Sequence, residues 1–209
     1  MRTITAVFLL AISVSFFSSC SEDSTTPGNY TIKDVFPISV GSKWELRESD
    51  FDTSGAVTSI DTVEFRIEKD TTFHGIPAYN AFIFDDYQTI YTTDKDLWRV
   101  ESGSDISEFV FRYPMADGEI YVIKDTTMGS YRSRRTMRIL SQSEKTTVPA
   151  GIFDCIKYEL LYMSGPVDGL DTSSLIHVFL SPGTGYIKEQ GFSRTGKTTK
   201  SYELLKYTK

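Results

Sequence analysis

Reactive and metal-binding side chains are scarce in this chain: its 209 residues include two cysteines and two histidines. Zinc needs His and Cys in clusters, and His74, His177, Cys20 and Cys155 are dispersed, so no zinc centre is expected. The G-x-S-x-G elbow of serine hydrolases is absent. A thiol enzyme would have to combine Cys155, His177 and one of many aspartates, and lone residues of these types are usually structural. Asp85-Asp86 and Asp94-x-Asp96 offer oxygen ligands but lack the glycine and distal glutamate of an EF-hand. Neither a metal nor a cofactor is expected. Excess positive charge is missing too. With 22 Lys and Arg against 28 Asp and Glu, the net charge of −6 argues against general nucleic-acid binding. No window of 12 or more residues keeps a clean helical stripe with capping signals.

What the N-terminus does hold is an apolar run, Ile4 to Phe17. Its 14 residues fall short of the roughly 20 that span a bilayer. Arg2 precedes the run and Ser18-Ser19-Cys20 ends it, the layout of a secretory leader. Small residues before a cysteine resemble the lipobox of bacterial lipoproteins, with one departure: Phe17 stands where the commonest lipobox has Leu. The resemblance implies cleavage before Cys20, lipidation of Cys20 by chains such as palmitate, and an anchor in a Gram-negative cell envelope. An outer-membrane lipoprotein, periplasmic or surface-exposed, is the localisation it implies. Ser21 to Asn29 is polar and without period, hence a flexible tether. Within it, Glu22-Asp23 resembles the acidic export tags that send lipoproteins to the surface in one Gram-negative phylum; a solvated linker is the plainer reading. The predicted organisation is a signal peptide over 1–19, a lipid-anchored tether over 20–29 and a single β domain over 30–209.

Removing the 19 leader residues from 209 leaves 190, and loss of Arg2 takes the charge from −6 to −7. That length can bury a real core, and 40% hydrophobic with 13% aromatic residues argue for a folded chain. With Cys20 lipidated, Cys155 has no partner and the body is disulfide-free. Cys155 sits in the alternating run Phe153-Asp-Cys-Ile-Lys-Tyr-Glu, as a small core residue would.

From Tyr30 onward the dominant period is two. Val57, Val63, Phe65 and Ile67 share one parity, while Glu64, Arg66 and Glu68 take the other, as in a half-buried strand. Similar runs occupy Lys43–Phe51, Ile76–Phe84, Thr89–Thr93, Leu97–Glu101, Glu119–Lys124 and Tyr131–Leu140. They continue at Cys155–Tyr162, Leu175–Leu180, Tyr186–Phe192 and Thr198–Tyr207. Turn signals lie between them: Thr53-Ser-Gly, Asp94-Lys-Asp, Ala116-Asp-Gly, Ser164-Gly-Pro and Ser181-Pro-Gly. The predicted fold is mainly β: one or more curved antiparallel sheets, as a half-barrel or a sandwich.

Three ordered echoes suggest two duplicated halves, repeat units of about 30–106 and 107–209. Phe36-Pro-Ile-Ser-Val-Gly-Ser-Lys-Trp-Glu-Leu matches Tyr113-Pro-Met-Ala-Asp-Gly-Glu-Ile-Tyr-Val-Ile at an offset of 77. Gly75-Ile76 matches Gly151-Ile152 at 76, and Ile90-Tyr91 with Leu97-Trp98 matches Val178-Phe179 with Gly185-Tyr186 at 88. Trp44, Trp98, Tyr121 and Tyr186 are expected core pillars before they are sugar platforms. Phe36 to Trp44, Thr147-Val-Pro-Ala-Gly-Ile-Phe-Asp-Cys and Leu180-Ser-Pro-Gly-Thr-Gly-Tyr-Ile-Lys look like signatures of small uncharacterised bacterial lipoproteins. Those share a Val-Pro-Ala-Gly-x-Phe element and are similar in outline to periplasmic lipoprotein-carrier half-barrels, in which a curved sheet holds acyl chains. No catalytic residue comes with that resemblance.

Gly191-Phe-Ser-Arg-Thr-Gly196-Lys197-Thr198 satisfies the P-loop expression letter by letter. A P-loop needs a helix after it and further strands of a parallel sheet. Here 11 residues remain and they alternate, so the match is read as chance, with a hairpin turn at Arg194-Thr-Gly196-Lys197. The run Arg132-Ser-Arg134-Arg135-Thr-Met-Arg138 is the one local reversal of charge. On a strand Arg132, Arg134 and Arg138 share a face, with Arg135 opposite. Cross-strand pairing with acidic strands, such as Glu45 to Asp52 or Glu64 to Glu68, is the plain reading. A patch for anionic lipid heads or acidic glycans is the functional one. The expected role is a lipid-anchored, extracytoplasmic binding or carrier module without catalysis, for a lipid, glycan or protein ligand. The alternatives are a structural lipoprotein acting through protein contacts, and a hydrolase using an unrecognised carboxylate pair.

Overall fold

In this computed structural model the described residues are 30–209 without Ser102 and Ser104, with only the backbone of Glu101 described. The leader 1–19, Cys20 and the tether 20–29 lie outside them. A short helix, α1 (Ile32–Val35), precedes twelve strands. The first six are β1 (Lys43–Phe51), β2 (Val57–Phe73), β3 (Ile76–Ile83), β4 (Asp86–Thr92), β5 (Asp96–Glu101) and β6 (Ser107–Arg112). The second six are β7 (Ile120–Met128), β8 (Tyr131–Val148), β9 (Gly151–Pro166), β10 (Asp171–Ser181), β11 (Gly185–Phe192) and β12 (Thr198–Thr208).

All twelve form one antiparallel sheet in the order β6-β5-β4-β3-β2-β1-β12-β11-β10-β9-β8-β7. Each half is a meander, and β1 pairing with β12 joins the two, with Trp44 opposite Tyr207. The sheet curls into a nearly closed barrel whose two edges, β6 and β7, are consecutive in sequence. Curling gathers most of the buried apolar side chains into one cluster, which a flat sheet of this width could not do. The echoes of the sequence fall on strands six apart: β1 with β7, the starts of β3 and β9, and β4-β5 with β10-β11. Counted by strands, the chain divides between Arg112 and Ile120.

Alternation put eleven of the strands in view, and β1 has the expected bounds. It failed at β6, where Phe109, Val110 and Phe111 run together and blur the period. It also ended β8 early and began β9 late, because bulges at Ile139/Ser141 and Ser141/Glu144 change parity inside the long hairpin. Ser164-Gly-Pro belongs to the end of β9, not to a turn.

One end of the barrel is plugged. Thr31 donates both its N–H and its hydroxyl to the Asp34 carboxylate at 2.7 Å, which starts α1 and buries Ile32 and Val35. Phe36 then stacks on Trp44 and Phe65, with ring centres 5.5 and 5.6 Å away. The Trp44 indole is fully buried and its Nε1 donates to the Thr184 carbonyl at 2.6 Å. Gly185, at φ +85°, lets that indole close in: a Cβ there would lie 3.3 Å from Trp44 Cζ2.

The seam between β6 and β7 is held by side chains. Arg112 grips Asp96 with two hydrogen bonds at 2.7 and 2.9 Å, and its guanidinium lies 4.0 Å from the Tyr121 ring centre. Phe109 packs on Tyr121 at 4.8 Å and Phe111 on Tyr158 at 5.4 Å. The Tyr158 hydroxyl crosses over to donate to the Arg112 carbonyl.

Candidate functional site: the barrel cavity

Between the aromatic plug and the seam lies a cavity of about 280 Å³. Most of its wall is apolar: Leu46, Phe65, Ile90 and Leu97 from the first half, Leu160 and Ile176 from the second. Val110 of β6 and Ile123 of β7 both line it, so the cavity reaches the seam. Its size sits just below the usual range for small-molecule sites, ~300–1,000 Å³, and its wall has the expected character, apolar with few polar groups.

Two arginines break the apolar wall, Arg99 of β5 and Arg135 of β8. Both are fixed by Glu108 on the edge strand β6. Arg99 donates through Nε and Nη2 to one carboxylate oxygen at 3.0 and 2.5 Å, and Arg135 Nη2 donates to the other at 2.5 Å. Burial alone would raise the Glu108 carboxyl, but hydrogen bonds from Arg99 and Arg135 outweigh it and hold it below the ordinary value. Arg135 Nε is buried without a hydrogen-bond partner among the described residues, and the Tyr162 ring lies 5.5 Å from this guanidinium. The group therefore carries a net charge of +1 and one buried nitrogen, Arg135 Nε, without a hydrogen bond among the described residues.

Glu189 of β11 also lines the cavity, accepting from the Tyr186 hydroxyl at 2.7 Å. Burial pushes its carboxyl up, against the Tyr186 hydrogen bond and Lys200. The two carboxyls are shifted in opposite directions. Glu108 stabilises the fold above the ordinary carboxylate range and loses that contribution as acid protonates it. Glu189 opposes folding increasingly as rising pH ionises it. A Glu189→Gln variant, which keeps an acceptor for Tyr186, should be more stable than the parent at neutral pH and no more stable in acid, as pH-dependent urea unfolding would show.

The arginines singled out from sequence lie on β8, and each faces a carboxylate. Arg132 grips Asp125 at 2.7 and 2.5 Å, Arg134 Nε stands 3.7 Å from the same carboxylate, and Arg138 donates to Glu159 at 2.7 Å. The partners are the neighbouring strands β7 and β9, set by the pairs Asp125↔Arg134 and Arg138↔Glu159, not the acidic stretches of β1 and β2. Arg135, of opposite parity, is the one that turns inward. A signal for it was present: Arg135, Met137 and Ile139 share the apolar parity of this strand. Nothing of the kind marked Glu108, whose strand was not recognised.

The remaining sequence candidates do not converge. Gly191, Gly196, Lys197 and Thr198 belong to the β11–β12 hairpin, closed by Ser193 N–H to the Lys197 carbonyl at 2.8 Å, so no helix N-terminus meets them. His177 lies 3.7 Å from Glu159 and packs on Phe192; His74 sits in the exposed β2–β3 turn. Among the described residues no group of three His, Cys, Asp or Glu is placed to hold a metal. Cys155 is fully buried, and burial pushes its thiol up to about 11. At pH 8 its thiolate population is then about a hundredfold below that of a thiol at the ordinary 9.0. A thiol reagent should label Cys155 slowly in the native protein and fast once urea unfolds it; equal rates would contradict the burial.

A single antiparallel sheet curled around a lined cavity defines this as a barrel-like fold. No family model matches the sequence, and no curated protein does. Solved structures do match in fold. One is a protein from Bacteroides fragilis, inferred to be exported, with a YmcC-like fold: 12% identity, TM-score 0.55, covering 83% of this chain and 98% of that one. Another is an inferred lipoprotein from Parabacteroides distasonis: 15% identity, TM-score 0.52, covering 83% and 98%. At such identities the likeness is one of fold.

Proposed function

We propose that the protein is an extracytoplasmic, lipid-anchored carrier or binding module that holds the apolar chain of an amphiphile inside its barrel and catalyses nothing. The observation that carries this reading is the cavity, apolar over most of its wall and reaching the β6–β7 seam, where no strand pairing is found among the described residues. The leader and Cys20 support an envelope location, as do the export and lipoprotein descriptions of the two structural relatives, and we assign the anchor to the outer membrane. The test is to fill the cavity. An Ile176→Trp chain should fold, at a cost of about 1–3 kcal/mol, and lose the fluorescence rise that an apolar dye shows with the parent. Undiminished dye binding by the folded variant would sink the reading.

A second reading, contact with another protein, is favoured by the edge strand β7, where Ile120 is 60% and Met128 77% exposed. Lysine at Val122 on the same edge should then dissolve an assembly without touching dye binding.

A further inference from the structure

We infer that the cavity selects an amphiphile with one apolar chain and an anionic head, a carboxylate or phosphate monoester, seated on Arg99 and Arg135. The inference rests on the carrier reading above and goes on to the chemistry of the ligand. Both guanidiniums line a mostly apolar wall, which Glu189 also reaches, so a charged head placed on the arginines keeps its tail dry. Glu108 neutralises one of the two positive charges and leaves the other without a counter-charge in the group. Among the described residues the buried Arg135 Nε has no hydrogen-bond partner, and a buried donor left unmade is costly. An anionic oxygen beside it satisfies the donor and balances the charge. A cationic head would meet a net repulsion, and a neutral one would leave the charge unbalanced. The tail length follows from volume: at about 30 Å³ per water-sized group, 280 Å³ holds about nine such groups.

The experiment uses residues 20–209 with Cys20→Ser, which removes the acyl anchor and keeps every described residue, and titrates decanoate, decyl phosphate and decanol. Both anions, or whichever head fits, should bind at least about tenfold tighter than decanol, the size of one charge-assisted hydrogen bond; the tighter of the two identifies the head. Arg135→Met should abolish the preference while decanol binding stays, which also shows that the variant is folded. Glu108→Gln, which leaves both arginines unneutralised, should tighten anion binding several-fold. Decanol binding as tightly as the anions, or Arg135→Met weakening all three probes alike, overturns the head-group assignment alone. If none of the three binds, the carrier reading falls with it.

Discussion

Replacing Trp44 by alanine should cost about 3–5 kcal/mol of folding stability, the range for emptying a fully buried large aromatic site. For a chain of this length that is a fall in Tm of roughly 6–20 °C. The reason lies in what Trp44 joins. Its indole stacks on Phe36, Phe65 and Tyr207, with ring centres 5.5, 4.7 and 5.1 Å away, so it links the segment after α1 to β2 and β12. Its Nε1 ties the β10–β11 turn through the Thr184 carbonyl. These are the strands where the two six-stranded meanders meet, and alanine would open the plug at that junction. Trp98 is the control: it is only half-buried and lies near the seam edge, so Trp98→Ala should cost distinctly less. Urea unfolding of the two variants checks the ranking. Equal losses would mean that the plug does not organise the barrel.

The second large effect belongs to Arg112. Arg112→Ala removes a bidentate partner from Asp96, which is buried, and takes the guanidinium off Tyr121. Stranding a buried charge in this way costs ~3–5 kcal/mol when burial is complete. Arg112 is about a quarter exposed, so a loss of about 2–3 kcal/mol is expected here. The loss should be local before it is global. β6 has one hydrogen-bonded neighbour, β5, and is otherwise kept in place by the side chains of the seam. Hydrogen exchange should therefore accelerate first in β6 and β7, with β1 and β12 still protected. Uniform acceleration across all twelve strands would contradict a seam held by side chains.

How much of this was legible beforehand depended on where period two survives. Strand after strand could be read because a curled sheet with one wet face demands alternation, and β1 and β2 keep it almost throughout. The order of the sheet and its closure could not be read. They depend on Arg112, Tyr121 and Tyr158 meeting across the seam from separate stretches of chain, and on β1 finding β12 at the far end of the sequence. The same non-locality hid the site. Arg135 was visible as a charge of the wrong parity, but its partner Glu108 lies on the strand whose pattern is blurred by Val110 between two phenylalanines. The arginines that drew attention instead, Arg132, Arg134 and Arg138, face Asp125 and Glu159 on the outer surface, where cross-strand pairing is the ordinary fate of a charge. The P-loop letters of Gly191 to Thr198 show the converse, since a motif without its strand–helix setting is only a turn.

The most direct measurement is native mass spectrometry of the protein purified gently from cell envelopes, with the acyl mass on Cys20 read after denaturation. The account predicts a second, non-covalent mass of a single-chain anionic amphiphile that leaves on denaturation and is missing from Ile176→Trp. A barrel that emerges bare under conditions that keep the fold intact, or a bound mass that Ile176→Trp retains, would contradict it.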